Sequence, residues 1–96
     1  MSAYLIGGVD VTDPKWVEEY GPKVEALVAK HGGRYLVRGG TMEVKEGSAP
    51  SSRGMVIVEF PSMEKARAWY DDPEYQPLIK LRQTGSSGDL VLAEGL

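Results

Sequence analysis

The hydrophobic residues of the chain follow two different spacings, and the spacing changes several times along the sequence. Short stretches dominated by aliphatic residues are typical of β-strands. They predict four strands, at Ala3–Val11, Arg34–Arg38, Met55–Phe60 and residues 90–94. Residues 41–45 are expected to extend the second strand beyond Gly39-Gly40, whereas residues 46–54 predict a loop and residues 84–89 a turn.

Between the first two strands, apolar residues recur every three or four positions, which indicates an amphipathic helix. This helix is expected to begin at Asp13-Pro14, with Asp13 as the N-cap, and to end through a positive φ at Gly32-Gly33. Pro22 has no N–H to donate and its ring crowds the preceding turn. We therefore expect a kink or two helical pieces at Gly21-Pro22.

A second helical region follows the third strand. Ser62 is expected to cap a short helix, and Asp72 to cap a further helical turn through residues 75–81.

The chain thus has the order βαββαβ. Parallel crossovers are right-handed and both helices must cover the same face of the sheet, so this order predicts an α+β fold. The predicted fold is a single ferredoxin-like sandwich over residues 1–96, with a four-stranded antiparallel sheet.

Alternation along the strands assigns side chains to the two faces of this sheet. The set expected beneath the helices is apolar: Leu5, Val9, Tyr35, Val37, Val56, Val58 and Phe60. The set expected on the other face is mixed: Tyr4, Ile6, Asp10, Arg34, Leu36, Arg38, Ile57, Glu59, Leu92 and Glu94. No helix remains to cover that face, so we expect a homodimer in which two sheets meet as a dimeric α/β barrel.

Composition narrows the classes of function. With 96 residues, a net charge of −3 and no basic cluster, the chain is a poor match for a nucleic-acid backbone. It contains no Cys, which excludes disulfides, thiolate nucleophiles and Cys-based metal sites. No segment has the pattern of a signal peptide or of a membrane span, so we expect a cytoplasmic protein with no membrane partner.

Several segments carry a family resemblance: residues 3–6 (AYLI), 10–14 (DVTDP), 31–40 (HGGRYLVRGG), 68–70 (AWY) and 73–75 (PEY). They resemble the domain-of-unknown-function 1330 family over essentially the whole chain. The resemblance implies membership of the dimeric α/β barrel superfamily. Relatives there include cofactor-independent monooxygenases, haem-degrading enzymes, muconolactone isomerases and chlorite dismutases, so the fold by itself decides no chemistry.

His31 is the only histidine and a candidate catalytic residue, because an unperturbed imidazole titrates near neutral pH. It could act as a general base or as an axial haem ligand. Its position just before Gly32-Gly33 also suits a structural role, since an imidazole there interacts favourably with the helix C-terminus.

Arg38 and Glu59 are the other candidate catalytic residues. Both are expected on the mixed face, where a charge must be paired or hydrated, so they predict either a structural ion pair or a polar site. The aromatic residues could stack on a flat ligand, although such spacing more often reflects packing. No metal-ligand spacing, phosphate-binding glycine motif or nucleophile elbow is present in the sequence.

Three functional interpretations remain open. The first is a small-molecule enzyme or binding protein, without a cofactor, with a pocket between sheet and helices near His31, Arg38 and Glu59. The second is a non-catalytic dimeric module, in which Trp16, Leu27, Trp69 and Tyr70 fill that space. The third is a cofactor-free oxygenase or a haem-using enzyme, which requires His31 to point into the cavity.

Overall fold

The computed structural model describes residues 1–48 and 54–96. Its strands are β1 (Ala3–Val11), β2 (Arg34–Arg38), β3 (Met55–Phe60) and β4 (Ser86–Glu94). Its helices are α1 (Val17–Lys30), α2 (Met63–Asp71) and α3 (Gln76–Gln83), and a 3-10 turn at Pro14–Trp16 precedes α1. In the described part of the chain no helix is long and apolar enough to cross a membrane.

The four strands form one sheet in the order β2-β3-β1-β4, and all neighbouring strands are antiparallel. This confirms the predicted ferredoxin-like α+β arrangement. The helices pack on the face that carries Leu5, Val58 and Phe60. Buried side chains from all three helices, among them Val28, Trp69 and Ile79, complete the core.

Helix α1 runs without interruption through Pro22, so the expected division into two helical pieces at Gly21-Pro22 is wrong. Proline disfavours helical backbone in the preceding residue partly through a clash with its Cβ, which Gly21 lacks. Pro22 is exposed, so water can reach the Glu18 carbonyl that it leaves without a donor. Asp13 does act as a cap, but of the 3-10 turn: its Oδ1 accepts from the N–H of Lys15 at 3.1 Å.

The predicted glycine stop of α1 is confirmed. Gly32 has φ 78°, the Gly33 N–H donates to the Val28 carbonyl at 2.8 Å, and the Gly32 N–H donates to the Ala29 carbonyl at 3.0 Å. These two bonds satisfy carbonyls at the helix end in a Schellman motif. A Cβ on Gly33 would lie 2.7 Å from the Phe60 ring, so only glycine lets the chain pass this close to the core.

Two strand boundaries differ from the prediction. Residues 41–45 do not continue β2, because Gly39, at φ 69°, turns the chain and donates its N–H to the Met55 carbonyl at 3.0 Å. Conversely, β4 begins at Ser86 and not at residue 90. It pairs with β1 along the whole length of β1, and the last pair joins Val11 to Ser86. Backbone pairing with a long central strand outweighs the low strand propensity of these polar residues. The predicted loop at 46–54 falls partly on residues 49–53, outside the described residues.

A β-bulge in β2 reverses the faces of its second half. Tyr35 pairs with Val58, but Val37 pairs with Ile57 and Arg38 with Val56, so Leu36 is the inserted residue. Val37 therefore lies on the open face and Arg38 on the helix-covered face, opposite to the prediction.

In β4 the expected faces were also wrong, because Leu92 pairs with Leu5 and Glu94 with Ala3 on the helix-covered side. The open face of the sheet is correspondingly apolar at Ile6, Leu36 and Val91, all of which are exposed.

Asp72 joins the end of α1 to the turn between α2 and α3. Its side chain is only 5% exposed. Its Oδ2 accepts from His31 Nε2 at 2.8 Å and from Lys30 Nζ at 3.0 Å, while its Oδ1 accepts from the Glu74 N–H at 2.9 Å. The bond from His31, followed by those from Glu74 and Lys30, holds the pKa of Asp72 well below its usual value of 3.8. Asp72 thus caps the turn at residues 73–75, whereas the N-cap of α3 is Tyr75 without a side-chain hydrogen bond, so the prediction that Asp72 caps that helix is wrong.

We predict that Asp72→Asn lowers Tm by several degrees at about pH 7, because the neutral amide weakens the bonds from His31 and Lys30. Folding lowers the pKa of Asp72, so its carboxylate stabilises the fold above the unfolded value of 3.8, and this contribution is lost as the pH falls below it. The difference in Tm from wild type should therefore shrink in acid. Thermal melts across pH test this, with the exposed neighbour in Asp71→Asn as control. Equal melting of Asp72→Asn and wild type at neutral pH would contradict it.

Candidate functional site

A cavity of about 370 Å³ lies between the sheet and the helices. Aliphatic side chains such as Leu5, Val56 and Val58 form its floor on β1 and β3. Its aromatic walls come from the 3-10 turn, α1, β2, α2 and the turn before α3: Trp16, Tyr20, Tyr35, Trp69 and Tyr75. Small-molecule sites in proteins are typically of this volume and are mostly apolar with a few polar groups.

Trp16 and Tyr20 reach the cavity because they lie one helical turn apart, across the junction of the 3-10 turn and α1. Their rings meet edge to face, with centroids 5.1 Å apart. Trp16 Nε1 donates to the Gly85 carbonyl at 3.1 Å, which fixes the indole. A Cβ on Gly85 would lie 2.8 Å from that indole, so the glycine makes room for it.

Two tyrosine hydroxyls meet at the cavity. The oxygens of Tyr20 and Tyr75 are 2.6 Å apart, so one hydroxyl donates to the other. Burial raises the pKa of both phenols above their usual value of 10.0, and for Tyr75 the neighbouring Tyr20 raises it further. Both are therefore neutral near pH 7. Only one of their two hydroxyl hydrogens is used between them, so the other can serve a bound molecule.

Arg82 of α3 also lines the cavity and is almost completely buried. Its Nε has no hydrogen-bond partner in the described part of the chain, and the same holds for Trp69 Nε1. Buried donors are normally satisfied, so two unpartnered donors in the wall of one cavity are unusual. Arg82 and Trp69 therefore place unsatisfied polar side chains in the otherwise apolar wall.

Arg82 is not among the site residues that the sequence predicts. A signal for it exists in α3, where Leu78 and Arg82 are four residues apart and both are buried. An arginine at a helical position that aligns with apolar residues is expected to face the core. Its burial therefore follows from the same periodicity that predicts the helix.

The three predicted site residues lie in three different places. His31 does not line the cavity, because its Nε2 is bound to Asp72. Arg38 does line the cavity, at a half-exposed position where its guanidinium carbon lies 4.4 Å from the centre of the Tyr35 ring.

Glu59 lies on the opposite, open face of the sheet, bound by Arg34 Nε at 2.7 Å and by the Tyr4 hydroxyl at 3.2 Å. The bond from Arg34 lowers its pKa. The expected pairing of Arg38 with Glu59 is therefore wrong: the bulge at Leu36 turns Arg38 toward Glu25, whose Oε2 is 3.3 Å from Arg38 Nη1.

The position of His31 also bears on the third interpretation, a cofactor-free oxygenase or a haem-using enzyme, which requires this only histidine of the chain to point into the cavity. His31 does not line the cavity, so neither a histidine-ligated haem nor an oxygenase that uses His31 receives support. Within residues 1–48 and 54–96, no group of three His, Cys, Asp or Glu side chains is placed to hold a metal ion.

A second, wider groove of about 640 Å³ lies between α1 and α3. Charged side chains surround it, and these already pair with one another: Lys23 with Glu19 and Lys30 with Glu74, each at 3.6 Å. It contains no buried polar atom without a partner among the described residues. The smaller aromatic cavity is therefore the better candidate site.

Known structures share this fold. RPA0582, a protein of unknown function from Rhodopseudomonas palustris, matches with a TM-score of 0.77 and 19% identity, over 99% of this chain and 82% of that one. SnoaB from Streptomyces nogalater, described as a cofactor-independent oxygenase, matches with a TM-score of 0.67 and 13% identity, over 99% and 93%.

A dimeric protein of unknown function with a ferredoxin-like fold, from Bacteroides fragilis, matches with a TM-score of 0.61 and 18% identity, over 98% of this chain and 96% of that one. No curated protein matches the sequence. The family model described as "Domain of unknown function (DUF1330)" matches residues 2–96. Together with the fold, this match over the whole length confirms the resemblance drawn from the sequence, and the chain belongs to the DUF1330 family.

Proposed function

We propose that this protein binds a small, flat and largely apolar organic molecule in the cavity between the sheet and the helices. The observation that carries this proposal is the cavity of about 370 Å³ with five aromatic side chains in its wall and two unpartnered donors, Arg82 Nε and Trp69 Nε1. Protein interiors are close-packed, so a space of this size beside unsatisfied donors is costly unless it is filled.

The alternative of a non-catalytic module required this space to be filled by side chains. Trp16 and Trp69 form walls and leave the space open, while Leu27 and Tyr70 do not line it. Flat aromatic walls favour a flat ligand, because rings stack in offset or edge-to-face geometry.

We expect Val56→Phe to weaken binding of 2-naphthol, a neutral bicyclic probe, at least tenfold, because the added ring occupies the cavity that Val56 lines. Titration calorimetry measures this directly. In wild type, free probe at about ten times Kd should raise Tm by roughly 5–10 °C. Val44→Phe is the matched control, since Val44 is exposed and does not line the cavity. Equal affinity of the two variants for 2-naphthol would refute the site.

Two copies of the chain are expected to associate through the open face of the sheet. Ile6, Leu36 and Val91 form an exposed aliphatic patch there, and the helices all pack on the other face. The Bacteroides fragilis neighbour, described as dimeric, shares this fold. Association through this face would leave the cavity free, because the cavity lies on the helix side.

Light scattering at micromolar concentration should give the mass of a dimer, and Val91→Lys should give a monomer because it places a charge in the apolar patch. Val44→Lys is closely matched, since Val44 and Val91 are both 53% exposed, and it should remain dimeric. A monomeric wild-type protein would rule out this assembly.

Oxygenation of the bound molecule is the second candidate function, supported by the likeness to SnoaB. Without a cofactor, the substrate itself must reduce O₂. In a suitable flat molecule an acidic ring CH₂ becomes C=O, one oxygen atom entering the product and the other leaving as water with the two hydrogens. Neutral tyrosine hydroxyls and Arg82 could stabilise the carbanion form of the substrate.

Anthrone, which has such a CH₂ group, tests this with an oxygen electrode. Wild type should accelerate oxygen uptake with formation of anthraquinone, and Val56→Phe, with its cavity filled, should reduce the rate to that of buffer. If wild type and Val56→Phe give the same rate, the protein is not an oxygenase for this class of substrate.

A further inference from the structure

We infer that the molecule held in the cavity is a monoanion, an aromatic carboxylate or an enolate, whose charged oxygen is bound by the guanidinium of Arg82. This inference rests on the proposed function and specifies its ligand class.

The burial of Arg82 is the first step. Its residue is 8% exposed, and it lies on α3 beside the buried Leu78 and Ile79. A guanidinium keeps its charge at any pH a protein tolerates. Moving such a charge out of water is strongly unfavourable unless a counter-charge or a full set of hydrogen bonds accompanies it.

The protein supplies no such counter-charge among the described residues. None of the ion pairs between residues 1–48 and 54–96 includes Arg82. No carboxylate is among the described residues that line the cavity. Two other carboxylates, Glu25 and Asp72, are already bound to cations: Glu25 to Arg38, and Asp72 to Lys30 and His31. The guanidinium is therefore a buried cation that has no counter-charge among the described residues.

The polar groups next to Arg82 cannot neutralise it. It hydrogen-bonds the hydroxyls of both Tyr20 and Tyr75, yet burial keeps the pKa values of these phenols raised, so both hydroxyls are neutral and bring no counter-charge. Its Nε still has no acceptor within the described chain. An external oxygen anion would supply both the missing charge and the missing acceptor.

The walls restrict what can bring that anion. Among the described lining residues, the only cation besides Arg82 is Arg38, which is half-exposed. The rest of the wall consists of five aromatic side chains and an aliphatic floor. A single buried cation can balance one negative charge on the ligand. The aromatic and aliphatic surface of the cavity can pack against a flat apolar ring system. A nucleotide or a polycarboxylate would bring more charge than this cavity can neutralise.

Two pairs of probes test the inference, each pair matched in shape. The first is 2-naphthoate with neutral 2-naphthamide; the second is 2-hydroxy-1,4-naphthoquinone, an enolate at neutral pH, with its neutral methyl ether. Wild type should bind the anion of at least one pair about tenfold or more tightly than its neutral partner, by calorimetry. The pair that shows the preference identifies the carboxylate or the enolate.

Arg82→Met should remove this preference and leave the affinity for the neutral probes within about threefold of wild type. Because it deletes a buried charge without a counter-ion, it should melt at or above the Tm of the wild-type protein. Lys80→Met is the control: it removes an exposed cation from the same helix and should keep the preference.

Each outcome is decisive. Equal affinity of wild type for anionic and neutral probes, or a preference that survives Arg82→Met, overturns this inference and leaves the proposed binding function standing. If no probe of either pair binds, the proposed function falls and this inference falls with it.

Discussion

The packing of Trp69 against Tyr75 is the contact on which the architecture of the site depends. Their ring centroids are 4.6 Å apart and both side chains are fully buried. Trp69 also packs on Phe60 of the central strand β3, and Tyr75 reaches Tyr20 of α1. Each such ring pair contributes about 0.5–1.5 kcal/mol beyond the area it buries. Tyr20, Tyr75, Trp69 and Phe60 thus form a connected series of rings from α1 to β3, and the first three of them line the cavity.

Features that depend on local chemistry were predictable from the sequence. The glycine stop at Gly32 and the cap at Ser62, whose Oγ accepts from the Lys65 N–H at 3.1 Å, both follow from residue types with one preferred position at a helix end. The order of the elements followed from the alternation of two hydrophobic periods. These are short-range preferences, and the rest of the fold agrees with them.

Features that depend on how strands meet were not predictable in the same way. Counting alternate residues along β2 fails after Leu36, because one inserted residue exchanges the faces of Val37 and Arg38. Glu59 is bound by Arg34 instead of Arg38 because Arg34 is its direct partner across β2 and β3, whereas Arg38 lies opposite Val56. Likewise, the polar start of β4 at Ser86 forms a strand only because β1 offers it a full-length partner. For Arg82, helical periodicity predicts burial, whereas the usual exposure of arginine predicts a surface position. The structure follows the periodicity.

The bulge at Leu36 has a consequence for how this protein can associate. β2 is an edge strand of only five residues, and its hydrogen-bonding pattern is interrupted at its centre. An irregular, short edge flanked by Arg34 and Arg38 is a poor template for the addition of a further strand, so it resists growth of the sheet at β2. The apolar patch around Ile6 and Val91 lies on the open face of the sheet and away from this edge, so a strand added at β2 would not cover it.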